Sequence, residues 1–81
     1  SFEKSLLAVK NQHMLPLLET LKAYEGAEDA YPFGEYHHVV LKDGFTETNV
    51  LNYLQQKNHI DVRVEKVRPD IEDCFMALMK Q

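Results

Sequence analysis

Residues 59–81, HIDVRVEKVRPDIEDCFMALMKQ, are the stretch that decides the fold. Apolar and charged residues alternate over residues 60–65, which is the period of a β-strand with one buried face. Pro69 cannot continue a hydrogen-bonded ladder and restrains the residue before it, so we expect the strand to end there. Asp70 can cap the following helix, and Glu72 and Asp73 place negative charge in its first turn, where the helix dipole favours it.

The helix after Pro69 is expected to be amphipathic. Its apolar residues recur at helical spacing and form one stripe, made of Ile71, Cys74, Phe75, Leu78 and Met79. We expect this stripe to be buried across a sheet, on the edge of a sheet or against a second chain, with Cys74 as a small buried hydrophobic residue. Glu72 and Asp73 are interpreted as solvated capping residues and not as catalytic carboxylates. Met76, Met79 and any exposed part of Phe75 are the candidates for a partner-binding patch.

The rest of the chain predicts three more strands and two more helices. We expect strands at residues 2–10, 27–33 and 36–42, and helices over about 13–24 and 46–58. Gly26 is expected to end the first helix in a left-handed conformation, and Asn58 can close the second. The order β-α-β-β-α-β is the ferredoxin-like arrangement of the α+β class, an antiparallel sheet with two helices on one face, here with an additional C-terminal amphipathic helix.

Composition and charge limit the classes of function that this chain can have. The 81 residues form a single domain with 44% hydrophobic residues, which suits a folded chain. A net charge of −4 argues against nucleic-acid binding, which needs a concentrated positive surface. The single cysteine excludes an internal disulfide. No apolar run approaches the roughly 20 residues that span a bilayer, so direct membrane insertion is not expected.

Catalytic motifs are not found in the sequence. None of the three glycines opens a phosphate-binding Walker loop, so we expect no ATP binding or hydrolysis by these residues alone. His37 and His38 are adjacent on a strand and point to opposite faces, which disfavours a shared metal ion. An acyl-phosphate hydrolase on this fold would need an arginine in the loop before the first helix, and residues 11–13 offer none. The expectation is no enzyme, no metal and no cofactor in this chain.

Two segments carry a family resemblance. Residues 68–78, RPDIEDCFMAL, resemble the Pro-Ser-Leu-Glu-Asp-Val-Phe segment near the end of many ABC transporter ATP-binding subunits, with Asp70, Ile71 and Cys74 replacing serine, leucine and valine. Phe33 and Gly34, with the acidic residue after them, are similar to a turn that leads into a strand in the same family. The matching positions of the final helix segment are Pro69, Asp70, Ile71, Glu72, Asp73 and Phe75.

The resemblance implies a function and a set of partners. It implies that residues 1–81 are a non-catalytic accessory domain from the C-terminal end of a longer ABC ATPase, whose own nucleotide-binding domain would hold ATP and magnesium. The implied partners are that nucleotide-binding domain, a second copy of this domain, or the transporter permease. The implied location is the cytoplasm, at the inner face of the cell membrane. A ferredoxin-like regulatory domain that binds a small molecule is the alternative, and it predicts a pocket with converging polar groups.

Overall fold

The computed structural model describes residues 4–80. They form a four-stranded antiparallel sheet and three helices, in the order β-α-β-β-α-β-α. The strands are β1 (Leu6–Lys10), β2 (Ala27–Phe33), β3 (Tyr36–Leu41) and β4 (Arg63–Lys66), and the helices are α1 (Met14–Lys22), α2 (Glu47–Gln56) and α3 (Ile71–Met79). The strand order across the sheet is β2-β3-β1-β4. The α+β prediction is confirmed, and the element order is roughly ferredoxin-like.

The edge strand β4 is shorter than the sequence pattern predicts. Only residues 63–66 of the predicted last strand join the sheet. Asp61 has a left-handed backbone with φ 51°, and Ile60 before it is 69% exposed. A β-strand cannot pass through that conformation, so the alternating pattern overstates the strand. The predicted start of the first strand, at residues 2 and 3, lies outside the described residues.

A large core and a small one lie on opposite faces of the sheet. The larger core joins the sheet to α1 and α2 through ten buried residues: Leu7, Val9, Leu17, Leu21, Tyr24, Ala30, Val39, Leu41, Val50 and Leu54. The smaller core lies on the other face and contains Leu6, Tyr31 and Val40, with Met76 of α3 packed against it. Because alternate strand residues point to opposite faces, β1 and β3 supply side chains to both cores. The fold therefore has one well-covered face and one that α3 covers sparsely.

The two ends of α2 follow local sequence signals, whereas the glycine after α1 does not. Thr46 caps α2 in a capping box with Asn49, and Asn58 follows α2 with φ 67°, as predicted for its C-terminal end. Gly26 does not take the predicted left-handed conformation, since the only glycines with positive φ among residues 4–80 are Gly34 and Gly44. A Cβ on Gly26 would overlap the ring of Phe45, so glycine is needed there for close packing.

No helix within residues 4–80 combines the length and the apolar content that crossing a membrane would require.

Candidate functional site

Helix α3 faces the sheet with Asp73 and not with its apolar stripe. Asp73 is fully buried, with 0% exposure, whereas Ile71, Phe75 and Leu78 are 71%, 58% and 61% exposed. Met79 is 77% exposed, and Cys74 is also exposed. The expectations that Asp73 is solvated and that Cys74 is buried are therefore wrong. Within residues 4–80, the residues of the predicted apolar stripe are exposed instead of buried against the sheet.

A cluster of three buried side chains, which we call the polar anchor, explains this orientation. It consists of Tyr31, His38 and Asp73. Oδ1 of Asp73 accepts a hydrogen bond from the Tyr31 hydroxyl at 2.6 Å and lies 2.7 Å from Nδ1 of His38. Because an ionised carboxylate can only accept, the proton of this second bond lies on Nδ1 of His38. Oδ2 of Asp73 accepts from the backbone N–H of Asp70 at 2.9 Å, so both carboxylate oxygens are satisfied.

Neighbouring strands place the two donors side by side. Tyr31 on β2 and His38 on β3 are directly opposite each other in the antiparallel register. Phe33, two residues after Tyr31 and on the same face, stacks on the His38 ring with centroids 3.9 Å apart and planes inclined by 7°. The stacked ring restricts the histidine, and its Nδ1 faces the helix. The sheet thus presents two fixed donors to the first turn of α3.

The hydrogen bonds determine the charge state of the polar anchor. Burial alone would raise the pKa of the Asp73 carboxyl, but the bonds from Tyr31, the Asp70 N–H and His38 together hold that pKa below its ordinary value. Burial raises the pKa of the Tyr31 hydroxyl, and its bond to Asp73 raises it further. Tyr31 therefore stays protonated as a donor while Asp73 stays ionised, and the network is held by a charged acceptor.

The remaining contacts of α3 lie on the same side of the helix as Asp73. Met76, one turn further along, packs against the smaller core formed by Leu6, Tyr31 and Val40. Lys80, just after the helix, lies 3.6 Å from a carboxylate oxygen of Asp29. Residues 73, 76 and 80 are three and four positions apart and share one helix face. The opposite face therefore points away from the protein.

That opposite face is an exposed apolar surface. We call it the outer stripe, and it consists of the residues predicted for burial: Ile71, Cys74, Phe75, Leu78 and Met79. Phe75 also lines a cleft of about 280 Å³ between α3 and the end of β2, together with Tyr31, Pro32, Phe33, Glu72 and Met76. Of the three residues predicted as an interaction patch, Phe75 and Met79 are on this surface, whereas Met76 points to the sheet.

The other predicted motif residues have local structural roles. Gly34 has φ 61° in the turn between β2 and β3, a conformation that glycine adopts without strain. Asp70 caps α3, accepting from the Glu72 N–H at 2.7 Å. Pro69 precedes the cap and ends the connection from β4. Pro69 and Asp70 set where α3 begins, and so they place Asp73 next to Tyr31 and His38.

The two adjacent histidines have separate partners, as their positions on a strand predict. Nε2 of His37 lies 2.7 Å from the Met14 carbonyl oxygen, on the α1 side of the sheet, whereas His38 contacts Asp73. Nδ1 of His37 is buried and has no hydrogen-bond partner among residues 4–80. Among the described residues no group of three or more His, Cys, Asp or Glu side chains is arranged to hold a metal ion. The polar anchor joins a helix to a sheet through a buried carboxylate and its hydrogen bonds.

Comparison with known proteins adds no relative. No family model, no curated protein and no solved structure matches this chain.

Proposed function

We propose that this chain is a non-catalytic interaction domain and that the outer stripe of α3 is its binding surface. The observation that carries the proposal is that α3 buries its aspartate and exposes four large apolar side chains. Large apolar patches on a folded monomer are often functional, because they are costly to leave in water. An ordinary core helix has the opposite arrangement, with the carboxylate in solvent and the apolar stripe against the sheet.

The resemblance of residues 68–78 supports a more specific assignment. On this proposal the domain has the ferredoxin-like arrangement with an added helix and belongs to the ATP-binding subunit of an ABC transporter. It binds no nucleotide itself and biases the closure of the parent subunit through protein contacts. Its location would be the cytoplasmic side of the membrane, where such subunits meet the permease. The resemblance lies in the segment that supplies Asp73 of the polar anchor and the apolar residues of the outer stripe.

The test is a double substitution of the outer stripe in the full-length ATP-binding subunit. Phe75→Glu with Leu78→Glu is expected to change ATPase activity in the assembled transporter at least several-fold, while nucleotide affinity stays the same. Leu15→Glu is the matched control, because Leu15 is an exposed apolar residue on α1, 78% exposed, outside the outer stripe. Unchanged activity and transport in a folded double variant would rule out the interaction function.

The alternative, a domain that binds a small molecule, has one feature in its favour. A cleft of about 420 Å³ lies at the start of α2, lined by Ser5, Leu7, Leu41, Phe45, Thr46, Glu47, Thr48 and Lys66. Its volume is within the range of small-ligand sites. Its ionisable lining residues, Glu47 and Lys66, have opposite charges, so the cleft does not favour one sign of ligand. The outer stripe is therefore the stronger basis for a function.

A further inference from the structure

We infer that α3 is itself the inserted element of the interaction: its outer stripe enters an apolar groove on a different protein domain, and that groove has Lys or Arg at the rim next to Asp70 and Glu72. This inference rests on the proposed interaction function and adds the class of partner. It excludes a second copy of this domain as the occupant. The spacing of the stripe, its area and the charges around it carry the inference.

The spacing fits a helix that lies in a groove. Ile71, Phe75 and Leu78 are at positions i, i+4 and i+7, the pattern by which amphipathic helices place their anchors in hydrophobic grooves. A nine-residue helix is roughly 14 Å long at about 1.5 Å per residue. All three anchors therefore point to the same side within two turns, and the polar anchor keeps the helix folded before any partner arrives. A preformed helix loses little conformational entropy on binding.

The area of the outer stripe is too small for a stable dimer of this domain. Its four large side chains are between 58% and 77% exposed. With about 150–200 Å² for each such side chain when fully exposed, the stripe offers roughly 400–550 Å². A stable interface needs about 800 Å² on each partner. Two stripes packed against each other fall short of this, whereas a concave groove would also cover the flanks of α3 and the cleft beside Phe75.

The charges around the stripe also disfavour a second copy. Asp70 and Glu72 are exposed at the start of α3, and neither carboxylate forms an ion pair within residues 4–80. Lys80 at the other end is directed to Asp29 on the sheet. In a dimer formed through α3, the second helix would add its own Asp70 and Glu72. Its Lys80 is already paired with Asp29 and would not be free to neutralise them. A groove with a basic rim would complement this acidic end and orient the helix.

The sheet edges favour helix insertion over strand addition. The outer edge of β2 contains Pro32, which has no N–H to donate, and an irregularity between Ala27 and Asp29. The other edge strand, β4, is only four residues long and carries Arg63, Glu65 and Lys66. Prolines, irregularities and charged side chains are the features that prevent pairing of another strand. The outer stripe is thus the surface of this domain best suited to a protein partner.

Photo-crosslinking in the intact transporter tests the inference. Ala77, an exposed residue one position before Leu78 of the outer stripe, is replaced by p-benzoyl-phenylalanine, which leaves the outer stripe unchanged. We expect cross-links to the ATP-binding domain or to the permease, in an apolar segment with Lys or Arg nearby. Glu72→Lys should lower the yield about fivefold, and reversing the charge of the partner cation should restore it. The same photo-reactive residue at position 15 on α1 is the control and should give no such product.

Three results would overturn the inference. They are a cross-link to α3 of a second copy, a yield that Glu72→Lys leaves unchanged, and the absence of any cross-link from position 77. The double substitution of Phe75 and Leu78 separates the two proposals. If it changes ATPase activity while position 77 cross-links to a second copy, the partner class is wrong and the interaction function stands. If activity is unchanged and no cross-link forms, both proposals are wrong.

Discussion

At the scale of single residues, Asp73 determines which side of α3 faces the protein. Its carboxylate accepts three hydrogen bonds, from Tyr31, His38 and the Asp70 N–H. A buried carboxylate is stable only when it is fully hydrogen-bonded, so α3 must keep this side against β2 and β3. The apolar residues on the far side of the helix are then exposed as a geometric consequence.

Replacing Asp73 by asparagine should destabilise the domain. Asp73→Asn keeps the size of the side chain but removes the charge, and its amide group can satisfy fewer of the three donors. We expect the free energy of unfolding to fall by about 1–3 kcal/mol, since hydrogen bonds to charged groups are worth about 1.5–3 kcal/mol. Urea unfolding measures this change. The control Glu72→Gln alters the neighbouring exposed carboxylate and should stay within about 0.5 kcal/mol.

Gly26→Ala should be destabilising through Phe45. The added Cβ would overlap the Phe45 ring, and forced overpacking typically costs about 1–3 kcal/mol. A double-mutant cycle with Phe45→Ala checks the cause, because the cost of Gly26→Ala should largely disappear once the ring is removed. An equal cost in both backgrounds would mean that backbone conformation, and not the contact, requires glycine at this position.

At the scale of elements, sequence patterns predict well which segments are helices and strands. They predict less well which side of each segment faces the core. The capping residues of α3 and its apolar stripe are correctly predicted, since both depend on local spacing. The direction of the stripe depends on Tyr31 and His38, which are 42 and 35 residues away from Asp73 in the chain. No local signal contains that pairing. It could be found only from the β2–β3 register, which places Tyr31 opposite His38.

Two other errors have equally specific causes. The alternation in residues 60–65 predicts a longer β4, but the left-handed backbone of Asp61 excludes the first part. Glycine after a helix usually indicates a left-handed end, but at Gly26 the contact with Phe45 is what requires glycine. The contact of Gly26 joins it to a residue far along the chain, which local spacing does not reveal. The predicted bounds of the second strand, residues 27–33, agree with β2, and β3 ends one residue before the predicted residue 42.

Acid should release α3 from the sheet before it unfolds the larger core. The pKa of Asp73 is lower in the folded chain than its ordinary value of 3.8. A depressed carboxyl pKa stabilises the fold fully above the unfolded value, and this contribution is lost as the pH falls through the folded value. We therefore expect attachment of α3 to weaken progressively below about pH 3.8. The strength of this attachment is measured as the protection of the α3 amides against hydrogen exchange, followed from pH 6 to pH 2.

The matched control for the acid experiment is Asp73→Asn, which lacks the titrating group. Its α3 amides should exchange faster than those of the unmodified chain at neutral pH and should show little further change in acid. Equal acid sensitivity in both proteins would mean that other carboxylates, such as Asp29 beside Lys80, hold the helix.

At the scale of the whole molecule, the two faces of the sheet are covered unequally. The larger core unites the sheet with α1 and α2, whereas the second face has the smaller core of Leu6, Tyr31 and Val40 and the polar anchor, which share Tyr31. A helix held through a buried carboxylate, Met76 and the Lys80–Asp29 ion pair keeps its outer stripe in solvent. We interpret this division as the basis of the proposed function: one face gives stability, and α3 presents a rigid apolar surface to a partner.

The most direct test of this account compares the free energies of unfolding of Leu78→Glu and Met76→Glu, measured by urea denaturation. Both substitutions place the same charge on α3, two residues apart. We expect a cost below about 1 kcal/mol for Leu78→Glu, because Leu78 is exposed, and about 2 kcal/mol or more for Met76→Glu, because Met76 packs on the smaller core. The reverse order of costs would contradict it, since the outer stripe would then be part of the core.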